Sequence, residues 1–232
     1  MLTLVLLPGL DGTCRLFDPL IKELGNTVPV VTIPYPESEP LGYRELEDIV
    51  RESLPENDPY LLVGESFSGP IAVAISATNP SNMKGLILCC SFVRNPQPML
   101  GVFRSMLNIA PITNLSIRIM SNLVLGRYNR DGIINSIVDA TKSISPDVIR
   151  KRLEEIVDVD VSKELSKLSI PSMYLRATHD RVVPGSASEE IIRLLPGIQV
   201  KDLDGPHFLL QAVPVESGEI FAEFMREVEY AL

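Results

Sequence analysis

Tyr60-Leu61-Leu62-Val63-Gly64-Glu65-Ser66-Phe67-Ser68-Gly69-Pro70-Ile71-Ala72 is the stretch that decides the architecture. A short apolar run bounded by glycine reads as a buried strand, and Pro70 one residue past Gly69 suits the first turn of a helix. Between them a serine sits on a sharp strand-to-helix turn. Such a turn holds its apex residue in a strained backbone, so the residues two positions away on each side must be small. Gly64 meets this condition. Ser68 stands at the other position, with Gly69 one step later, so the strict G-x-S-x-G spacing is not met. A serine presented this way is a candidate nucleophile. Read alone, the stretch also fits an ordinary Gly/Ser connection without chemistry. It lacks the lysine of a P-loop and the spacing of a dinucleotide fingerprint, which excludes phosphate cradling.

Working outward, short Leu- and Val-rich runs alternate with longer amphipathic segments, the pattern of parallel strands buried on both faces. Strands are expected at Leu2–Leu7, Val28–Ile33, Tyr60–Val63, Leu86–Ser91, Ser172–Ala177 and Gln199–Leu203. Helices are expected at Leu16–Leu24, Tyr43–Leu54, Gly69–Thr78, Ser186–Leu195 and Glu216–Ala231. Pro8-Gly9, Pro34-Tyr35-Pro36, Asn79-Pro80 and Leu195-Pro196-Gly197 mark the joins.

The rhythm breaks between Ser91 and Ser172. Met99, Val102, Phe103, Met106, Leu107 and Ala110 recur at helical spacing, and further helices are expected near Leu115–Leu125, Asp131–Ser143 and Pro146–Val157. Ser145 is a candidate N-cap for the last. The division expected is a core of residues 1–91 and 171–232 with a helical insert over 92–170. Leu115, Ile117, Ile119, Met120, Leu123, Val124 and Leu125 make one helix apolar on most sides, more than a single buried stripe needs. A second apolar face would suit the roof of a pocket.

Composition narrows the function classes. The chain has 232 residues, 45% hydrophobic and 22% charged, and 21 basic against 30 acidic side chains leave a net charge of −9. An acidic surface repels phosphate backbones, so nucleic-acid binding is not expected. Arg127, Arg130, Arg150, Lys151 and Arg152 are the densest basic positions, and they alternate with Glu154 and Glu155 in what reads as a solvated helix face. Three cysteines (Cys14, Cys89, Cys90) cannot form a disulfide framework, and two histidines make a zinc site improbable. With no basic leader segment and no apolar run near the ~20 residues that span a bilayer, a cytoplasmic setting without an integral membrane segment is expected.

A serine hydroxyl needs a base to take its proton and a third group to orient that base. His207, in Asp204-Gly205-Pro206-His207-Phe208, follows the last expected strand, where the loops of a parallel sheet converge. Asp180 follows the preceding strand in Thr178-His179-Asp180-Arg181, although a surface turn aspartate that caps a helix or pairs with Arg181 also fits that turn alone. His179 abuts the candidate acid and reads as a loop residue. A developing oxyanion needs two backbone amides. Phe67, directly after the serine, offers one, and Leu10, in the loop Pro8-Gly9-Leu10-Asp11-Gly12-Thr13 after the first strand, offers the other.

Gly9-Leu10, Ser66, Asp180 and His207, in that chain order, give the sequence a resemblance to the α/β-hydrolase superfamily along nearly its whole length. The stretches Leu7–Thr13 and Gly64–Phe67 look like the esterase, lipase and thioesterase branch that includes plant plastid acyltransferases. The resemblance implies an α/β-hydrolase fold: a mostly parallel sheet of about six strands, flanked by helices, with a helical cap inserted between two strands. Two antiparallel edge strands of the family are expected to have no counterpart, Pro8 replaces a frequent histidine, and Ser68 replaces the usual glycine. The chemistry implied is cleavage of a small-molecule carboxylic ester or thioester with an apolar acyl group, through Ser66, His207 and Asp180 and an acyl-enzyme, without metal or cofactor. Met99, Met106, Met120, Leu107 and Leu123 suit an apolar acyl chain. Acyl transfer, C–C hydrolysis or lyase chemistry on the same residues, and a non-catalytic ligand-binding role, are the alternatives the resemblance leaves open.

Overall fold

The computed structural model describes residues 2–97, 112–129 and 132–231. Six strands, β1 (Thr3–Leu7), β2 (Val30–Thr32), β3 (Tyr60–Glu65), β4 (Met83–Cys89), β5 (Ser172–Ala177) and β6 (Gln199–Leu203), form one sheet in the order β2-β1-β3-β4-β5-β6. Every neighbouring pair is parallel. Side chains alternate across the pleat, so each central strand feeds two cores. Leu4, Leu6, Leu61, Val63, Ile87 and Met173 face one side, against helix α1 (Asp18–Leu24) and the C-terminal helix. Val5, Leu7, Leu62, Leu86, Leu88 and Tyr174 face the other, against α2 (Tyr43–Ser53) and α3 (Gly69–Ser76). Burial on both faces explains why the central strands read as continuous apolar runs.

Between β4 and β5 lie α4 (Asn114–Leu125), α5 (Ile133–Thr141), α6 (Pro146–Asp158) and the short α7 (Ser162–Leu165). Among the described residues this segment has no strand, only an isolated antiparallel bridge between Arg94 and Asp160. The helix expected around Met99–Ala110 lies outside the described residues. Ser145 caps α6, its hydroxyl accepting from the Asp147 amide. The chain then continues through α8 (Gly185–Leu194), α9 (Leu209–Ala212) and α10 (Pro214–Ala231). Among the described residues no helix is long and apolar enough to cross a membrane.

Three expectations need correction. The second strand is shorter than expected, because Pro29 has no amide to donate and a 3₁₀ turn occupies Gly25–Thr27. The fourth begins earlier and ends at Cys89, because Cys90 turns to φ 47°. The basic run is not one solvated face. Arg127 lies in the 3₁₀ turn after α4, and Arg152 is 1% exposed beneath the loop that follows β1.

The register places Leu7, Glu65, Cys89, Ala177 and Leu203 at one edge of the sheet. Loops 8–14, 66–68, 90–97, 178–184 and 204–208 therefore gather there, at the carboxyl ends of parallel strands.

Candidate active site

Ser66 opens a 3₁₀ turn, Ser66–Ser68, between β3 and α3, with φ at 48°. The left-handed region is costly for a residue with a side chain, and such strain persists only where the surroundings impose it. Here the surroundings are close-packed. A Cβ on Gly64 would lie 2.9 Å from the Ala72 Cβ and the Gly69 Cα, and one on Gly69 would lie 1.7 Å from the Ser91 hydroxyl. That hydroxyl donates to the Ser66 carbonyl at 2.6 Å.

The Ser66 hydroxyl lies 2.9 Å from His207 Nε2, and His207 Nδ1 lies 2.8 Å from Asp180 Oδ2. Asp180 Oδ1 accepts from the amides of Val182 and Val183, both at 2.8 Å. Arg181 does not pair with Asp180; it donates to the Leu123 carbonyl at 2.7 Å. Two carboxylate oxygens thus have separate duties, one holding the loop and one facing the imidazole. The His179 ring is on the outside, 3.0 Å from Asp204. The five residues singled out in the sequence are brought together: Ser66, His207, Leu10 and Phe67 line one cavity, and Asp180 stands behind the histidine.

The cavity measures about 540 Å³. Its floor is the serine and the β1 loop; its walls are apolar side chains of the inserted helices, among them Ile117, Met120 and Val124 of α4 and Ile149, Leu153 and Ile156 of α6. The α4 helix is apolar beyond this wall. Leu115, Ile119 and Leu123 are more than half exposed and face neither the cavity nor the core. A volume of this size lies in the range of small-molecule sites.

The loop after β1 is held carbonyl by carbonyl. Ser68 donates its hydroxyl to the Pro8 carbonyl and stands 2.5 Å from the Tyr35 hydroxyl. The Gly9 carbonyl accepts from the Gly12 amide at 3.1 Å. Those of Leu10 and Asp11 accept from Arg152 at 2.9 and 2.8 Å. Among the described residues, neither the Leu10 nor the Phe67 amide donates to another group. Phe67 is fixed from the side: Tyr43 stacks on its ring at 4.6 Å and donates its hydroxyl to the Phe67 carbonyl at 3.0 Å.

Four contributors were not apparent from the sequence: Ser68, Ser91, Glu65 and Arg152. Ser68 was readable only as a small residue, and the partners of Ser91 and Glu65 lie far away in the chain. Arg152 did leave a signal, since it falls on the stripe Val148, Ile149, Ile156 that faces the interior. Glu65 lies beneath the loop, accepting from Gln211 Nε2 at 3.1 Å. Burial, above all, and the neighbouring Asp11 push its carboxyl up to about 7, against the pull of Gln211, His207 and the Gly9 amide. The thiols are buried and free; burial pushes Cys14 up to about 12. Cys90, Asp180 and His207 place potential metal-ligand atoms within 4.8 Å of one another, but two of the three groups are already hydrogen-bonded to each other.

A parallel sheet with an inserted helical segment, and a serine on a strained strand-to-helix turn, make this an α/β-hydrolase. The family model described as serine aminopeptidase, S33, matches residues 43–205, and the chain belongs to that family. Among curated proteins it is 37% identical over 110 residues to phytyl ester synthase 1, chloroplastic, of Arabidopsis thaliana, a match covering 43% of this chain and 16% of that one. It is 24% identical over 213 residues to the pimeloyl-[acyl-carrier protein] methyl ester esterase of Neisseria meningitidis serogroup C, covering 83% of this chain and 80% of that one. The match to pyrrolizixenacetamide deacetylase of Xenorhabdus hominickii, at 22% identity, covers 72% of this chain and 64% of that one. The chain thus spans less than two thirds of the deacetylase and of the synthase. The crystal structure of bromoperoxidase from Bacillus anthracis shares the fold with a TM-score of 0.85 at 16% identity, covering 97% of this chain and 92% of that one.

Proposed function

We propose that the protein cleaves carboxylic esters or thioesters with an apolar acyl group, with Ser66 as nucleophile, His207 as base and Asp180 as its orienting acid. The observation that carries this reading is a hydrogen-bonded relay opening into an apolar cavity: Ser66 Oγ to His207 Nε2 at 2.9 Å and His207 Nδ1 to Asp180 at 2.8 Å. With Nδ1–H donated to Asp180, Nε2 is the acceptor that takes the hydroxyl proton as Oγ attacks the carbonyl carbon. The oxyanion then rests on the amides of Leu10 and Phe67, which among the described residues donate to no other group. Collapse expels the alcohol or thiol, protonated by His207 Nε2–H. Water, deprotonated by the same nitrogen, releases the acid. The segment 92–170 is the cap to the core formed by 1–91 and 171–232, and the apolar side chains of its described helices α4, α5 and α6 hold the acyl chain. The esterase relative from Neisseria meningitidis supports an ester substrate.

Transfer of the acyl group to an alcohol is the second reading, favoured by the 37% identity to phytyl ester synthase 1 across the segment it shares. A p-nitrophenyl ester series from acetyl to dodecanoyl, run with and without a long-chain alcohol, tests both. Turnover with an optimum beyond acetyl that falls about 10⁶-fold in Ser66→Ala is the expected result. New ester formed with the alcohol establishes transfer. Activity that survives in Ser66→Ala, or none in the wild type on any ester, overturns the proposal.

A further inference from the structure

Arg152 is the anomaly of the molecule. It is among the largest fully buried side chains, 1% exposed, and among the described residues it has no ion-pair partner. A buried guanidinium is costly unless its donors are satisfied. Its acceptors are main-chain carbonyls: Leu10 at 2.9 Å and Asp11 at 2.8 Å through Nη1, and Pro36 at 3.0 Å through Nη2. The Tyr35 ring centre lies 5.6 Å from Cζ. Gly12 (φ 72°) passes so close that a Cβ there would stand 2.4 Å from Nη1. Arg152 does not line the cavity, so it is placed to act on the loop and not on a ligand.

A peptide unit is planar, so fixing its carbonyl fixes the amide at its other end. The Gly9–Leu10 unit, which carries the Leu10 amide, is bounded by the Gly9 carbonyl, held by Gly12, and followed by the Leu10 carbonyl, held by Arg152. The Asp11 carbonyl shares its peptide plane with the Gly12 amide, the donor that holds the Gly9 carbonyl, so release of the Leu10 and Asp11 carbonyls would loosen that bond and with it the direction of the Leu10 N–H. A lysine carries its three donors on one nitrogen, so it does not reproduce a grip in which Nη1 and Nη2 of a planar fork serve separate carbonyls.

We infer that Arg152, reaching from the inserted helix α6 into the loop after β1, is a positioning residue that aims the Leu10 amide at the oxyanion. The inference rests on the proposed role of Ser66 and of that amide. A positioning role predicts a loss in kcat, where the oxyanion forms, with KM little changed. Arg152→Lys and Arg152→Met, in the full chain and with a p-nitrophenyl ester, should lower kcat about 10- to 100-fold, a part of the loss that follows removal of an oxyanion donor. Arg152→Ala should regain kcat in millimolar guanidinium, which fits the vacated space, while Arg152→Met, whose side chain fills it, should not.

Ser66→Ala, run beside them, separates the two layers of argument. If it remains active, the proposed site is wrong and the inference falls with it. If it is inactive while folded Arg152 variants keep kcat within twofold of wild type, the inference alone is overturned. It is overturned equally if KM rises while kcat holds, or if no Arg152 variant folds, since Arg152 then determines the fold instead of aiming one amide.

Discussion

Ser66 owes its position to atoms that leave it no alternative. A left-handed backbone at a non-glycine residue costs about 1–3 kcal/mol and is kept here by Gly64, Gly69 and the Ser91 hydroxyl. Gly69→Ala therefore should drive the Ser91 hydroxyl off the Ser66 carbonyl. We expect a loss of stability of about 2 kcal/mol or more in urea unfolding, with kcat lowered in the folded fraction. Glu65 gives the second prediction at this scale. Its carboxyl, ordinarily near 4.5, is raised to about 7 by burial, so the folded protein holds that proton more tightly than the unfolded chain. Stability from this group consequently falls as pH rises from about 4.5 to 7 and stays lower above it. Glu65→Gln removes the titration. Its melting temperature should exceed that of wild type by several degrees at pH 8 and match it near pH 4, and a constant offset at both pH values would contradict the account. Ser66, Asp180 and His207 could be placed from sequence because each follows a recognisable strand. Glu65 and Ser91 could not, because what matters about them is the distant group each touches.

At the scale of elements, α6 ties the inserted segment to both expected oxyanion donors. Arg152 grips the loop that carries Leu10, and three residues on, Glu155 accepts from the Tyr43 amide at 3.0 Å, setting the helix whose Tyr43 ring stacks on Phe67. Ser145, the N-cap, anchors the first turn of α6. Ser145→Ala should cost about 1 kcal/mol in denaturant unfolding while lowering kcat less than Arg152→Lys does, because it loosens the helix end without removing the grip on the loop. The helices and central strands were legible as periodic or continuous apolar runs, and the Ser145-Pro146 start of α6 was legible as a cap. Element ends were less so. Cys90 ends β4 by turning to positive φ, a conformation that nothing in a cysteine signals.

On the scale of the whole molecule, a parallel sheet gathers its loops at one edge, and the helices inserted after β4 wall the resulting hollow with apolar side chains. The cavity's size should therefore govern acyl length. Ile137→Phe, which adds bulk to the α5 wall, should shift the preferred p-nitrophenyl ester toward shorter chains while butanoate turnover stays within a few-fold, and an unmoved optimum would place the acyl chain elsewhere. That hollow was foreseeable as a roofed pocket but not in outline, since which apolar faces turn inward depends on how α4, α5 and α6 pack. The central claim is that Ser66 is an activated nucleophile, and the most direct measurement is reaction of the native protein with a fluorophosphonate followed by peptide mass mapping. The account predicts one adduct, on Ser66, absent from Ser66→Ala and slowed in His207→Ala. An adduct on another residue, or equal labelling of wild type and Ser66→Ala, would contradict it.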